Sequence, residues 1–563
     1  MKVRKRLVIF FDVFLLVALF WIVRYWHSRQ FGLYEDDLTI IPSVLQMTFR
    51  QVVQYVFSYI AQFQGQGRPL HHSFIYLFSW LGWNLAGLWG AYLIGYSITI
   101  INIGLFYGLM RRTVGRSFAL VAGFCYVLFS ADTTQAYLTL SLGMQPSITF
   151  LLLAFHCYLS KKRLLAYILA FLILLGYETP FLVFIVAPLL EKDWNKPLVK
   201  KLLLHILVVG LLLILIYTIR VILNGSGGVV DLTPFQMIKY AVEHMVEGPV
   251  VSLWTYVYRP IQTIKSLNLE TGLAILFAFF VFSWIFYRLD LPLRVKARDL
   301  WHTFNDPASW SALPYDIKSS LHLFLAGLAM LVLAYPITFT LSGFELTGRS
   351  TRVHSAGVVG AAIMLASVIF MFIYLANAHN VLRQSVNIVI ALELALMVGY
   401  GFVIQRDYVL AWQYQKEFWT ELLPLIPDAN NGTVVLVDPK ALQDTSQIGA
   451  NTWNLPRILY QLYEIPASIK KIPAVNRLAA GWESTLVVDG RFQVNSTTVS
   501  SAPDNYGTYD SESIIIIQAE NGHLVRRTTI TLDGIEYTLK PETQPFLSAL
   551  HHGFLYNLMI NQP

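Results

Sequence analysis

Residues 356–377 read AGVVGAAIMLASVIFMFIYLAN, an apolar run without a charged side chain. A helix that rises about 1.5 Å per residue needs about 20 apolar residues to cross the hydrocarbon core of a bilayer. Similar runs, several of them shorter, lie near 7–26, 86–110, 116–131, 146–160, 164–177, 180–190, 202–222, 270–287, 319–341 and 384–404. The sequence therefore predicts a polytopic α-helical membrane protein with about 11 transmembrane helices. The runs 164–177 and 180–190 can also be read as one long, broken helix.

The composition and charge distribution separate a membrane module from a polar domain. Hydrophobic residues make up 55% of the 563 residues and charged residues 13%, about half the ~25% charged share of a soluble domain. Residues 1–404 carry a net charge of +12 and residues 405–563 a net charge of −5. The positive charge is scattered through loops rather than gathered on one face, which argues against a nucleic-acid partner.

The basic residues alternate between successive loops. With the N-terminus in the cytoplasm, the inside loops hold 20 Lys and Arg residues, and the outside loops of the membrane module hold nine. This asymmetry follows the positive-inside rule. We therefore expect a multi-pass protein of the cell membrane with a cytoplasmic N-terminus and an extracytoplasmic domain at 405–563.

The C-terminal domain reads as a small α/β or α+β fold. It begins at the amphipathic stretch 412–419, and Thr433-Val-Val-Leu-Val-Asp438 reads as a buried strand. Later stretches are typical of a β-meander, at 485–496, 513–520, 523–530 and 535–540, with a hairpin turn at Asp533-Gly534. The domain shows no nucleophile motif, so we expect it to cover or extend the outer mouth of the membrane module.

Four predicted outer segments carry the polar side chains that could do chemistry. The first outer loop, 27–82, contains Asp36-Asp37 and then Arg68, and between them 43–63 is apolar at helical spacing, which predicts interfacial helices. The remaining candidates are Asp132 and Tyr137 in the second outer loop, Glu178 in Gly176-Tyr-Glu-Thr-Pro180, and Arg349, Arg352 and His354 at the outer end of the ninth span.

Most of these residues also have an ordinary structural explanation. Asp36-Asp37 could be a solvated loop, Arg68 a snorkelling anchor, and Asp132 a helix cap. Glu178 is harder to dismiss, because an ionisable group between apolar runs near the membrane is costly and functional by default. The joint occurrence of these side chains on one membrane face favours a functional site.

Carboxylates and arginines together suit one kind of chemistry. A carboxylate can accept a proton from a hydroxyl nucleophile, and arginines can neutralise a phosphate leaving group. At the outer leaflet this fits sugar transfer from a lipid-phosphate donor. The sequence lacks the Gly-x-x-x-x-Gly-Lys-Ser/Thr motif of ATP-binding proteins.

The acidic first outer loop with Asp36-Asp37, the Gly67-Arg68-Pro69 triplet and the acidic second outer loop resemble the GT-C superfamily of membrane glycosyltransferases. Within it, the chain resembles O-antigen glucosyltransferases, protein O-mannosyltransferases and aminoarabinose transferases. The resemblance implies a polyprenyl-phosphate sugar donor and transfer that inverts the anomeric centre.

Carried over to this sequence, the resemblance makes Asp36 or Asp37 the base and Asp132 the second-loop acid. Arg349 or Arg352 would hold the phosphate, and Arg68 would brace the first loop. Tyr137, Glu178 and His354 complete the expected substrate-binding set.

We expect a glycosyltransferase that moves a sugar from a polyprenyl-phosphate donor to a hydroxyl acceptor on a glycan, lipid or protein. The main alternative is a transporter or lipid flippase that uses the same acids and arginines, although such proteins often show inverted repeats, which we do not find in this sequence. A non-catalytic membrane assembly protein is a further alternative. No metal site is expected, but Asp36 and Asp37 could hold Mg²⁺ or Mn²⁺.

Overall fold

The computed structural model describes residues 2–191, 194, 196–224, 233–289, 315–338, 343–376, 380–450, 455–465, 473–479, 486–499, 506–532 and 534–561. Contacts within the chain divide it into two compact units. Unit 1 comprises Met1–Ser28 and Val53–Gln405, and unit 2 comprises Arg29–Val52 and Arg406–Pro563. Helices α4 (Phe49–Ala61) and α16 (Asn380–Leu422) contribute residues to both.

Unit 1 is helical. Its other helices are α1 (Lys2–Arg24), α5 (Gln64–Gly67), α6 (Pro69–Thr113), α7 (Arg116–Val127), α8 (Leu138–Gly143), α9 (Gln145–Leu159), α10 (Arg163–Leu175), α11 (Lys196–Asn224), α12 (Pro234–Lys265), α13 (Leu269–Arg288), α14 (Tyr315–Leu333) and α15 (Val358–Ala376). The described part of the unit also contains the longer 3₁₀ segments Phe181–Leu190 and Arg349–Gly357.

The apolar runs of the sequence form helices, which confirms a polytopic α-helical membrane protein. Seven helical stretches among the described residues are long and apolar enough to cross a membrane: Leu7–Gln30, Pro69–Thr113, Leu138–Leu159, Lys196–Leu223, Leu269–Arg288, Arg349–Ala376 and Val381–Leu425. Shorter apolar helices lie at Arg116–Val127, Arg163–Leu175, Phe181–Leu190 and Lys318–Leu333. The number of spans, about 11, stays a prediction.

A sharp break divides α6 near the residue at which the sequence predicts the second span to begin. Ala86 and Gly87 have non-helical dihedral angles, and Gly87 lies in the left-handed region at φ +63°. Gly90 approaches the backbone of Gly82 so closely that an added Cβ would lie 2.0 Å from the Gly82 carbonyl oxygen. The 45-residue element therefore consists of two helices, one on each side of the break.

An ion pair joins the N-terminal helix to α7. Arg116 donates from Nε to Asp12 Oδ2 and from Nη2 to Asp12 Oδ1, both at 2.8 Å. The Tyr107 hydroxyl on α6 donates to the same carboxylate at 2.6 Å. Since Asp12 is only 1% exposed, these three bonds compensate the cost of its burial in an apolar helix.

Unit 2 combines the acidic segment of the first loop with the C-terminal domain. The segment forms two four-residue helices, α2 (Asp37–Ile40) and α3 (Pro42–Leu45), and the domain adds α17 (Leu455–Leu462) and α18 (Phe554–Met559). The strands are β1 (Val434–Val437), β2 (Ala474–Arg477), β3 (Val487–Val488), β4 (Arg491–Val494), β5 (Gly507–Tyr509), β6 (Ile514–Glu520), β7 (His523–Arg527), β8 (Thr529–Leu532) and β9 (Ile535–Thr538).

The strands form three sheets rather than one meander. In the largest sheet, with order β2-β1-β6-β7, β1 is parallel to β2 and β6, and β7 is antiparallel to β6. The predicted buried strand at 433–438 is confirmed, because all four residues of β1 are buried. The meander prediction is wrong for β6, which pairs with β1 across more than 70 intervening residues instead of with a sequential neighbour alone. The β8–β9 hairpin is present, and Asp533 of its predicted turn lies outside the described residues.

Candidate active site

Three of the predicted segments of unit 1 meet at the junction between α8 and α9, residues 143–147. The three contacts are those of the His71 ring with Gly143, the Tyr177 N–H with Ser147 Oγ (2.8 Å) and the Ser355 hydroxyl with the Met144 sulfur (3.3 Å). They bring together the start of α6, the end of α10 and the start of α15. The helix ends that carry the predicted residues of unit 1 are therefore neighbours in the fold.

Arg68 and Glu178 form a two-point ion pair at this end of the helices. Arg68 donates from Nε to Oε2 of Glu178 at 2.8 Å and from Nη2 to Oε1 at 2.5 Å. A second guanidinium, that of Arg220, lies 3.6 Å from the same carboxylate and also donates to the carbonyls of Gly67 and Leu174. One carboxylate thus faces two arginines.

The two arginines determine the charge state of Glu178. Burial alone would raise the pKa of the Glu178 carboxyl, but the charges of Arg68 and Arg220 and the hydrogen bonds from Arg68 outweigh it, so the pKa lies below the ordinary value of 4.5. The Arg68 guanidinium also lies over the Tyr177 ring, 4.9 Å from its centroid. Glu178 is therefore ionised at neutral pH, and the cluster retains a net positive charge.

Asp132 lies in a buried turn between α7 and α8. It is 3% exposed, and its Oδ1 accepts from the Thr134 N–H at 2.9 Å and from the Thr134 hydroxyl at 2.6 Å. Burial raises the pKa of Asp132 above its ordinary value, although the bonds from Thr134 and the charge of Arg24 act in the opposite direction. Asp132 and Arg24 line one small cavity together with Gln135, Gln145 and Ser355.

The segment that carries Arg349 and Arg352 is a 3₁₀ helix bound to the Asp132 turn. The hydroxyls of Thr133 and Thr351 are 2.9 Å apart, and the Thr133 N–H donates to Thr351 Oγ1 at 3.2 Å. Both arginines are half-buried. Across the ranges that the structure describes, Arg352 pairs with no carboxylate, and its one guanidinium bond reaches the Arg349 carbonyl at 3.4 Å. Arg352 thus retains the capacity to bind an anion.

The side chains of His354 and Tyr137 are fully buried. His354 Nε2 bonds to the Glu345 carbonyl oxygen at 2.7 Å, and its Nδ1 lies 2.9 Å from the Tyr335 hydroxyl and 3.3 Å from Ser252 Oγ. These contacts fasten the 3₁₀ segment to the preceding loop and to α12. His354 therefore links the 3₁₀ segment to Glu345, Tyr335 and Ser252.

Arginines outnumber acids in this region of unit 1. Arg24, Arg68, Arg220, Arg259, Arg349 and Arg352 lie in or beside the segments described above, together with the acids Asp132, Glu178, Glu247 and Glu345. Arg24 and Arg220 were not among the residues singled out from the sequence. Each lies at the end of an apolar run, where an arginine reads as an ordinary membrane anchor, so the sequence held no signal that set them apart.

Asp36 and Asp37 lie in unit 2, in the turn that begins α2. Asp37 is fully buried and Asp36 is half-buried, and the Thr39 N–H and hydroxyl both donate to the Asp36 carbonyl oxygen at 3.1 Å. The preceding Glu35 is 8% exposed and has a left-handed backbone at φ +49°. Of the two aspartates, Asp36 has the side chain that a substrate can reach more readily.

Tight packing inside unit 2 fixes the chain just before the acidic turn. The Tyr34 hydroxyl donates to the Tyr408 carbonyl oxygen at 2.8 Å and accepts from the Gly32 N–H at 3.0 Å. Gly32 packs against the Trp412 indole so closely that a Cβ added to it would overlap the ring. The acidic turn is thereby anchored to the last turns of α16.

In the parts of the chain that the structure describes, no group of three or more His, Cys, Asp or Glu side chains is arranged to hold a metal ion. Glu35, Asp36 and Asp37 follow one another in sequence without forming such a group.

The sequence matches no known protein family and no curated protein. Among solved structures it is similar to ArnT from Cupriavidus metallidurans in the apo state, with 15% identity, 78% of this chain and 83% of that chain covered, and a TM-score of 0.32. It is also similar to the same protein bound to undecaprenyl phosphate, with 14% identity, 76% and 82% covered, and a TM-score of 0.33.

Proposed function

We propose that this chain is an integral-membrane glycosyltransferase that moves a sugar from a polyprenyl-phosphate donor to a hydroxyl acceptor on the extracytoplasmic face. The observation that carries the proposal is the excess of arginines over acids at one end of the helices of unit 1. A cationic region among membrane helices suits a ligand with an apolar tail and an anionic headgroup, because the tail stays in lipid while the arginines neutralise the phosphate.

The arginines have different roles in this proposal. Arg352 and Arg349 bind the donor phosphate, since Arg352 is half-buried and has no carboxylate partner in the described part of the chain. Arg68 and Arg220 are engaged with Glu178, so they hold the start of α6 in place and add positive potential. The polyprenyl phosphate gains negative charge as it leaves the anomeric carbon, and fixed cations stabilise that charge.

The reaction we propose is a single displacement. The acceptor oxygen bonds to the anomeric carbon as the bond from that carbon to the phosphate oxygen breaks, and polyprenyl phosphate departs with the bonding electrons. The proton of the acceptor hydroxyl passes to a carboxylate, a role that we assign to Asp36 or Asp37. Attack opposite the leaving phosphate inverts the anomeric centre. Asp132 would orient the reacting groups.

A strain that lacks the gene tests the proposed function. Mass spectrometry should show that one sugar is lost from a glycan, lipid or protein at the cell surface and that a polyprenyl-phosphate sugar accumulates. Restoration of both by the wild-type gene would support the proposal. If the surface sugars and the lipid-linked sugars are unchanged in that strain, glycosyl transfer is not the function.

The proposed sidedness can be tested independently. We propose a cytoplasmic N-terminus and an extracytoplasmic C-terminal domain, supported by the 20 basic residues of the predicted inside loops against nine outside. A reporter fused after residue 563 should be active only outside the cytoplasm, and tags near 113, 162, 197 and 305 should be cytoplasmic. Cytoplasmic labelling of the C-terminal domain would overturn the placement.

A further inference from the structure

Helix α12 carries a continuous stripe of exposed apolar side chains. They follow one another at intervals of three or four residues, which places them on one helical face. The stripe consists of Phe235, Ile238, Val242, Val246, Val250, Trp254, Val257, Ile261 and Ile264, which are between 44% and 77% exposed. A helix at an aqueous surface turns its apolar face towards the protein core. Helix α12 has the reverse arrangement, because its apolar face is exposed.

The opposite face of α12 is polar and buried inside unit 1. His244, Ser252, Thr255, Arg259 and Thr263 are each at most 6% exposed. Arg259, which is completely buried, donates from Nη2 to the Leu346 carbonyl oxygen at 2.5 Å, and its guanidinium lies 4.7 Å from the centroid of the Tyr400 ring. The helix therefore turns its polar groups inward and its apolar groups outward.

The buried face of α12 contacts the end of α14, the loop that follows it and, at Thr263, the Leu396 carbonyl oxygen of α16. Tyr335, Thr338 and Leu346 lie in the connection between α14 and the 3₁₀ segment before α15. His244 bonds to Thr338 at 3.2 Å, and Arg259 bonds to Leu346. Those two α12 residues are separated by about 22 Å of helix. His244 and Arg259 therefore both contact the connection between α14 and α15.

The charges of α12 are consistent with a stripe that contacts lipid. Residues 248–258 contain no charged side chain, whereas Lys239 and Lys265 are exposed near the two ends of the helix. The stripe also continues, after the turn at 266–268, onto the exposed side of α13, which is long and apolar enough to cross a membrane. Leu269, Leu273 and Leu276 extend it there. The apolar surface of α12 is thus continuous with a surface that faces lipid.

We propose that α12 lies in the plane of the membrane, with the stripe in contact with lipid acyl chains. It lies at the end of the helices that carries the Arg349–Gly357 segment, because Ser252 contacts His354 in that segment. This proposal goes beyond the proposed function, and it holds or fails independently of it. Residues 223–269 lie between the predicted spans 202–222 and 270–287, and α12 is not among the helices that are long and apolar enough to cross a membrane.

Spin labels on the stripe test the proposal. In the full chain with Cys125 and Cys157 replaced by alanine, Val242→Cys, Val250→Cys and Val257→Cys are labelled singly and placed in phosphatidylethanolamine–phosphatidylglycerol vesicles. Oxygen concentrates in lipid, whereas a nickel chelate stays in water. The rates at which a spin label collides with each reagent therefore show whether the label lies in lipid or in water. We expect high oxygen accessibility, strongly reduced nickel accessibility and similar depth at all three positions.

Two matched positions serve as controls. Lys239→Cys lies on the same helix beside the stripe, and Val488→Cys is an exposed apolar position in unit 2, so labels there should collide with nickel more often. High nickel accessibility on the stripe would place it in water and overturn the proposal. Low accessibility to both reagents would mean that protein covers it, which also overturns the proposal. A steady change of depth from 242 to 257 would indicate a crossing helix instead.

A second measurement needs no cysteine substitutions, so its result does not depend on whether the chain without Cys125 and Cys157 folds correctly. Phosphatidylcholine with bromine on its acyl chains quenches tryptophan that lies in lipid. The difference between the quenching of wild type and of Trp254→Phe gives the contribution of that single indole. We expect it to be quenched most strongly by bromine at shallow acyl positions. A Trp254 contribution that brominated lipid leaves unquenched would contradict the proposal.

Discussion

Arg68 and Glu178, which are 110 residues apart in sequence, meet through two parallel hydrogen bonds of 2.8 and 2.5 Å. The first lies just before α6 and the second just after α10, so the pair closes one end of the helices of unit 1. The Glu178 side chain is 8% exposed and that of Arg68 is 26% exposed, which shields their interaction from water.

Replacement of Glu178 by glutamine should destabilise the fold. The change leaves two half-buried guanidinium groups facing each other without a counter-charge, and the loss of one partner from a buried ion pair costs about 3 kcal/mol. We expect a lower unfolding temperature in detergent, partly restored when Arg68 is replaced by methionine in the same chain. An unfolding temperature equal to that of wild type would show that the pair contributes nothing to stability.

The same pair should give the wild type an acid-sensitive stability. Because the folded pKa of Glu178 is depressed, its contribution is fully present above the unfolded value of about 4.5 and is lost as the pH falls through the folded pKa. Unfolding temperatures measured from pH 7 down to pH 3 should therefore fall less steeply for Glu178→Gln than for wild type. Parallel curves for the two proteins would contradict this assignment.

The contribution of Asp132 to stability should depend on pH with the opposite sign to that of Glu178. Its folded pKa is raised by burial, so its contribution to stability is complete below the unfolded value of 3.8 and decreases as the pH rises through the folded pKa. Asp132→Asn keeps an acceptor for Thr134 without a buried charge, and we expect it to unfold at a higher temperature at pH 7. Sugar transfer should nonetheless fall. A lower unfolding temperature for this variant would show that the carboxylate stabilises the fold.

Arg349 and Arg352 should determine the affinity for the lipid phosphate. A charged hydrogen bond contributes about 1.5–3 kcal/mol, so each change to alanine should weaken polyprenyl phosphate binding about tenfold or more. Lysine should restore binding only in part, because it lacks the planar fork of arginine. Arg491→Ala, at an exposed ion pair of unit 2, is the control. If both alanine variants bind the lipid as tightly as wild type, the phosphate site lies elsewhere.

Gly32 should tolerate no side chain while Trp412 is present. The added Cβ would overlap the indole, and overpacking of this kind costs about 1–3 kcal/mol. Gly32→Ala should therefore destabilise the protein and displace the acidic turn, whereas in a Trp412→Leu background the same change should cost less. Additive effects of the two substitutions on the unfolding temperature would show that the contact does not position the turn.

The sequence predicts the membrane helices well because each depends on a local apolar run. It predicts the members of the Arg68–Glu178 pair but not their contact, since nothing local links residues 110 positions apart. The Ala86–Gly87 break is inconspicuous because the apolar run continues through it. The apolar residues of α12 occupy a single face. The polar residues between them lower the mean hydropathy of the stretch, so no continuous apolar run marks the helix in the sequence.

The candidate site was predictable to a similar extent. Asp132, Glu178 and Arg352 stand out as polar side chains beside apolar runs. The burial of His354, by contrast, depends on bonds to Tyr335 and Ser252, which come from other elements. The division that groups Asp36 and Asp37 with the C-terminal domain likewise depends on packing around Tyr408 and Trp412, far along the chain.

The most direct test of the central claim measures the release of polyprenyl phosphate. The purified protein is incubated with the lipid fraction of a strain that lacks the gene, and the polyprenyl phosphate that is released is quantified. We predict that wild type releases it with the acceptor fraction present, and that Glu35→Gln, the neighbouring control, does so at a similar rate. The Asp36→Asn, Asp37→Asn double variant should bind the donor normally but lose about 10²–10⁴-fold in rate, because asparagine cannot accept the proton. Release by the double variant at the wild-type rate would contradict the mechanism. Movement of the intact lipid between leaflets without release would identify a flippase instead.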